Sequence, residues 1–266
     1  MNCSEVIAEL RMRASEKYKA NVVRMGIPEQ YSLGVSTAEI RSLAKKMQKS
    51  NELALGLWVT GYHEARLLAV LLMDPKQMTK DAVEQLIGDV ISWDLCDHLC
   101  KNLLIKMDCR NALIEGWVTS SQTYRKRAAF TLIASSVIHE KKINDDMLDY
   151  YLGLIARYSD DGREHVKKAV SWALREIGKR DFNYNEKALL LAHEFAESDS
   201  KALNWIGKDT IKEFETLVKA RRARTFDFIE VSNGKRGCRK RSIIRIGGWI
   251  LCIKVRNGQS KLEEMA

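Results

Sequence analysis

Proline is nearly absent from this 266-residue chain: the only two, Pro28 and Pro75, lie in its first third. Because proline removes a backbone donor and clashes inside a helix, its absence beyond Pro75 leaves helix formation uninterrupted on that account. Cysteine is present but unpatterned. Cys3, Cys96, Cys100, Cys109, Cys238 and Cys252 include no CxxC pair and no Cys/His spacing of the usual zinc type, which argues against a disulfide scaffold and implies no metal. On a helix His98 points away from Cys96 and Cys100, so these thiols read as buried core. Long apolar runs are missing too. Nothing approaches the roughly 18 residues of a membrane span. Glu5, Glu9 and Arg11 interrupt MNCSEVIAELRMR before any signal-peptide core could form. These absences lead us to expect a soluble intracellular protein, cytoplasmic or in the nucleoid or nucleus.

What the chain does have is 45% hydrophobic and 30% charged residues, the balance of a globular, mostly helical protein with enough length for one large or two small domains. Its formal charge of +9 predicts attraction to a polyanion, with nucleic acid the commonest candidate. Charge alone does not separate DNA from RNA or an anionic membrane.

Apolar residues recur at helical spacing through most of the chain. Candidate helices cover about 4–25, 36–49, 51–60, 62–73, 79–90, 92–107, 109–118, 121–138, 144–158, 163–179, 185–196, 199–206 and 208–222. Short polar breaks such as Lys49-Ser50-Asn51 and Asp160-Asp161-Gly162 separate them and suggest antiparallel pairs. Three segments, SWDLCDHLCKNLL, YRKRAAFTLIASSVI and HVKKAVSWALREIGK, share a polar start, an apolar run and one unusual residue off the apolar stripe. Those residues, Trp93, Arg127 and Trp172, stand 34 and 45 residues apart. The intervals bracket the repeat of HEAT-type helix pairs, so an all-α solenoid of about six pairs is expected, with equivalent helices along one concave surface.

After Arg224 the character changes: TFDFIEV and IIRIGGWILCIKV are β-prone and flank a turn. We therefore expect a helical domain over 1–224 and a basic extension over 225–266. The run holding Lys235, Arg236, Arg239, Lys240, Arg241 and Arg245 fits phosphate binding, a localisation signal, or simple solubility of the tail.

The unusual residues carry the chemistry. Trp172 falls opposite the stripe of Val166, Ala169, Val170, Ala173, Leu174 and Ile177, beside Lys168, Arg175 and Lys179. It is either core for a neighbouring helix or an aromatic platform on a cationic surface suited to a nucleic-acid strand. Ser92 is a plausible N-cap and Asp94 complements the helix dipole. Asp97 lies beyond the reach of that dipole and shares a side with Trp93; it is either paired with Lys101 one turn on or part of a site. Arg127 lies off its own stripe, either solvated or a phosphate ligand.

WDLCD with KRAAF and SWALREIGKR, in that order and spacing, resembles the AlkD family of DNA alkylation repair proteins, the HEAT-like DNA glycosylases. YSLGVSTAEIRSLAKKM (31–47), HEARLLAVLLM (63–73) and IGKDTIKEF (206–214) resemble family elements outside the site. The likeness runs from about residue 10 to about residue 222. It implies that Asp97, Trp93 and Trp172 surround the deoxyribose of a modified nucleotide and that Arg127 contacts the DNA backbone. It further implies cofactor-independent excision of N3- or N7-alkylated purines from duplex DNA, by a monomer. The alternatives are a non-catalytic member that binds DNA by charge, and a HEAT scaffold whose tryptophans anchor a protein partner.

Overall fold

The computed structural model describes residues 1–226 except Lys141, with side chains as far as Glu215, and the backbone of 241–246, 249–256 and 259–264. The chain forms two compact units, Met1–Ile211 and Lys212–Ala266. The first contains α1 (Cys3–Met12), α2 (Glu16–Arg24), α3 (Thr37–Lys45), α4 (Asn51–Val59), α5 (His63–Leu72), α6 (Lys80–Gly88) and α7 (Trp93–Asn102). It continues through α8 (Arg110–Trp117), α9 (Thr123–His139), α10 (Asp145–Tyr158), α11 (Glu164–Gly178) and α12 (Phe182–Glu197) into α13 (Lys201–Phe226), within which the division falls.

The helices pair in sequence, α4 on α5, α8 on α9 and α11 on α12, and the pairs stack through a second series of contacts, α5 on α7, α7 on α9 and α9 on α11. This is the expected all-α solenoid. Helix α9 sits at its centre. Every residue from Lys126 to Val137 is buried, which an amphipathic surface helix could not sustain. The run RAAFTLIASSV suits that place, because Ala128, Ala129, Ala134, Ser135 and Ser136 let neighbouring helices approach from several sides. Among the described residues no helix is long and apolar enough to cross a membrane.

Two of the differences from the expected helix boundaries have a clear tertiary reason. The helix expected over 4–25 is broken at Ser15, whose N–H donates to the Gly34 carbonyl at 2.9 Å. Gly34 adopts φ +86°, and a Cβ there would stand 2.7 Å from the Ser15 carbonyl oxygen. Its loop is held in turn by Glu64, a fully buried carboxylate that accepts from the N–H groups of Leu33 (2.9 Å), Gly34 (2.7 Å) and Val35 (3.3 Å). Conversely, the helices expected over 199–206 and 208–222 form one, α13. Gly207 is a contact point and not a break.

The second unit carries a three-stranded antiparallel meander, β1 (Arg241–Ile246), β2 (Trp249–Arg256) and β3 (Gln259–Glu264), with Ile243 opposite Cys252 and Ile253 opposite Leu262. The β-prone reading of IIRIGGWILCIKV agrees with these strands. Thr225 and Phe226 belong to α13, while the rest of TFDFIEV and the basic residues Lys235, Arg236, Arg239 and Lys240 lie outside the described residues.

Gly207 yields a test of the packing. Replacing a mid-helix glycine by alanine ordinarily stabilises by up to about 1 kcal/mol. Here the new methyl would overlap the Ala192 carbonyl and lie 2.9 Å from the Ala196 Cα on α12. Gly207→Ala should therefore lower the unfolding free energy, by about 1–3 kcal/mol in denaturant titration. A stabilised variant would contradict the close α12–α13 approach.

Candidate functional site

Helix α7 is fixed on two sides. Towards α5, the Asp94 carboxylate meets Nε2 of His63 at 2.8 Å. One turn on, Nε2 of His98 donates to the Leu67 carbonyl at 3.0 Å. Burial pushes the Asp94 carboxyl up, but the His63 hydrogen bond and charge outweigh it and hold it below the usual carboxylate value. Burial, aided by the positive field of Arg41, brings His98 down to about 4. Ser92 occupies the N-cap position, but its hydroxyl makes no capping hydrogen bond. The N-terminus of α7 is thus positioned by the His63–Asp94 contact with α5, a role the dipole argument for Asp94 does not include.

On its other side α7 presents Asp97, whose carboxylate has a partner that helical spacing does not single out. Lys101 does not pair with Asp97. Instead, Arg127 on α9 grips the carboxylate with a fork, Nε to Oδ1 at 2.9 Å and Nη2 to Oδ2 at 3.0 Å. The Thr131 hydroxyl, one turn further along α9, adds a bond to Oδ1 at 3.2 Å. Arg127 is not solvated. Its side chain is 8% exposed, and Nη1 donates to the His165 carbonyl on α11 at 2.7 Å. Burial works against the guanidinium charge, but the Asp97 hydrogen bonds and charge overcome it and raise its pKa. One arginine therefore ties three stacked helices. Oδ1 is saturated by two donors, while Oδ2 takes one and keeps an acceptor direction open.

Trp93 opens α7 one turn before Asp97 and is 40% exposed. Trp172 on α11 is half-buried, with Nε1 donating to Glu176 Oε1 at 3.2 Å. Lys101, one turn after Asp97, places Nζ 4.5 Å from the centre of the Trp172 ring. Along α7 the carboxylate thus lies between an indole on one side and a lysine–indole stack on the other. This contact gives Trp172 an inter-helix partner and leaves part of the ring accessible.

The cations expected around Trp172 all have acidic partners: Lys168 with Glu164 (2.9 Å), Arg175 with Asp209 (3.6 Å) and Lys179 with Glu176 (3.0 Å). That face is more nearly balanced in charge than the stripe calculation implies. Sequence reasoning also missed Thr131, and missed Tyr124 and His165, whose rings lie 5.5 Å apart beside the Arg127 anchor. Thr131 carried a signal, since it follows Arg127 by four residues and shares its face. Burial raises Tyr124; burial and the charges of Arg127 and Lys168 lower His165. Among the described residues no group of three or more His, Cys, Asp or Glu side chains could hold a metal ion.

A helical-repeat solenoid in which an arginine fork holds a carboxylate, with indoles beside the neighbouring turns, is the class of protein that fold and site define. The chain belongs to the family described as DNA alkylation repair enzyme, whose model matches residues 6–206. Among solved structures, one is described as a new family of proteins related to the HEAT-like repeat DNA glycosylases with affinity for branched DNA structures. It is 21% identical with a TM-score of 0.67, over 80% of this chain and 95% of that one, and it shares the fold. A designed armadillo repeat protein in complex with the peptide (KR)4 is 14% identical over 83% of this chain and 94% of that one, and its TM-score of 0.32 is too low to extend the fold comparison. No curated protein matches the chain significantly.

The buried histidine of α7 predicts a pH response. The unfolded chain takes up the His98 proton near pH 6.5 and the folded protein only near pH 4. Between those values the unfolded state binds more protons, so stability falls as the pH is lowered. His98→Gln, whose amide can still donate to the Leu67 carbonyl, should flatten this part of the curve in urea titrations across that range. An unchanged pH dependence would remove His98 as its source.

Proposed function

We propose that the protein is a monomeric, cofactor-independent DNA glycosylase that hydrolyses the N-glycosidic bond of cationic N3- or N7-alkylated purines in duplex DNA. The observation that carries this reading is the Asp97 carboxylate, fixed by the Arg127 fork and the Thr131 hydroxyl between Trp93 and Trp172. Alkylation at a ring nitrogen makes the base cationic, so it departs neutral with the C1′–N electron pair and needs no general acid. Positive charge then develops on the sugar, as in glycoside hydrolysis. The open acceptor direction of Oδ2 faces that charge and receives the proton of the water that adds at C1′. The two indole faces add quadrupole attraction. A carboxylate already held in place gives electrostatic stabilisation without reorganisation. In this reading Arg127 positions Asp97, whereas the family resemblance alone suggested a backbone contact. Lys168, Arg175 and Lys179 contact phosphates by exchanging their acidic partners for phosphate oxygens. For Lys168 and Glu164 the exchange is easy, because both are more than half exposed and such pairs contribute at most about 1 kcal/mol.

A second reading, a DNA-binding protein without glycosylase activity, has its own support. Arg127 neutralises the charge of Asp97, and a protein of the same fold is described as having affinity for branched DNA.

Asp97→Asn separates the two. It keeps the shape and removes the charge, and single-turnover release of 7-methylguanine or 3-methyladenine from methylated duplex should fall about 10²–10³-fold. Affinity for undamaged duplex should be retained. Because the variant leaves Arg127 buried without its counter-charge, melting is measured alongside, and Asp97→Asn/Arg127→Gln restores neutrality. Base release at the wild-type rate by either variant would exclude Asp97 from catalysis. A wild-type protein that binds DNA with salt sensitivity but releases no base would establish the second reading.

A further inference from the structure

At the C-terminal ends of α7 and α9, beginning one turn beyond Asp97, lies a cleft of about 410 Å³ lined by Lys101, Ile105, Lys106, Arg110, His139 and Glu140. Three permanent cations and an imidazole face one carboxylate, and that carboxylate is already paired with Arg110 Nη1. Arg110 also donates to the Ile105 carbonyl at 3.1 Å, while its Nε is buried without a partner. Lys101 touches the Trp172 ring, and neither it nor Lys106 forms an ion pair among the described residues. This sets the cleft apart from Lys168, Arg175 and Lys179, each neutralised by a neighbouring acid.

Local helix electrostatics account for only part of this charge. Lys101 and His139 sit in the last turns of α7 and α9, where the dipole favours cations. Lys106 lies beyond the end of α7, and Arg110 opens α8, where the dipole favours an acid. Glu140 and the Ile105 carbonyl account for Arg110, but the convergence of Lys101 and Lys106 beside it is left unexplained by the fold alone. We propose that this cleft binds a phosphodiester group of a nucleic-acid strand. Apart from His139 its walls carry no ring on which a base could stack, so it suits a backbone phosphate better than a nucleotide. Lys101 supplies the continuity: it lies one turn from Asp97, stacks on Trp172 and lines the cleft. A strand whose sugar rests at Asp97 carries a flanking phosphate to Lys106 and Arg110. This placement rests on the reading of the protein as DNA-binding and names where the strand is gripped beside the site.

The test uses the full chain and the salt dependence of duplex binding. Lys106→Ala should lower the slope of log affinity against log salt by about one unit. Lys106→Arg should keep it, and melting should be unaffected by either change, because Lys106 is exposed. A second arm follows the His139 imidazole by NMR during titration with inorganic phosphate. An unchanged slope for Lys106→Ala, in a wild-type protein that does bind duplex, overturns the cleft assignment alone. An unchanged slope together with a Lys106-dependent phosphate response identifies a free-anion site and overturns the strand assignment. Absence of salt-dependent duplex binding by the wild type removes the DNA-binding reading, and the strand phosphate with it.

Discussion

The bidentate pair between Arg127 and Asp97 is the constraint around which the first unit is organised. Both side chains are almost wholly buried, 8% and 13% exposed, so each has surrendered most of its hydration. Removing one partner of such a pair typically costs about 3–5 kcal/mol, because the other is left charged and dry. The pair is tolerated because its remaining hydrogen-bonding capacity is used. Thr131 completes Oδ1, and the His165 carbonyl takes a further N–H of the guanidinium. Helices α7, α9 and α11 cannot slide past one another without breaking these bonds together. A helix as buried as α9 could not hold an arginine on any other terms.

In the proposed reaction the same bonds set the chemistry. A carboxylate on a surface helix would sample several rotamers in water and stabilise a passing cation weakly. Fixed by three donors, with one acceptor direction open, Asp97 presents a defined oxygen on a helix that also carries Trp93 and the Lys101–Trp172 stack. The guanidinium also offsets part of the negative charge. The clamp therefore exchanges field strength for direction, a trade that suits the proposed reaction, in which the leaving base is already cationic.

The solenoid was legible because it rests on periodicity. The apolar stripes of α7 and α11, the off-stripe position of Trp172 and the repeat-like spacing of Trp93, Arg127 and Trp172 all follow from residue order at helical geometry. What periodicity does not specify is the partner across an interface. A helical projection places Arg127 off its own stripe, and only the neighbouring α7 turns that position into a buried clamp. For Asp97 the choice between Lys101 and Arg127 is likewise tertiary, and Lys101 is drawn to the Trp172 face. Ser15 and Gly207 repeat the lesson for the backbone. Ser15 ends a helix through a bond to Gly34, and Gly207 continues one because α12 fills the space beside it. The motif residues of the candidate site were thus identifiable in the sequence, and Thr131 by its spacing from Arg127, while Tyr124 and His165 required the stacked helices.

Whether Arg127 serves Asp97 or the DNA is the decisive question, and Arg127→Lys addresses it directly. Lysine keeps the charge but cannot form the fork. If the clamp positions the carboxylate, single-turnover base release at saturating DNA falls in Arg127→Lys, and the salt slope of DNA binding stays at the wild-type value even in Arg127→Gln, which removes the charge. If release at saturation is unchanged in Arg127→Lys and the slope falls by about one unit in Arg127→Gln, Arg127 is a phosphate ligand and the clamp has no part in the chemistry.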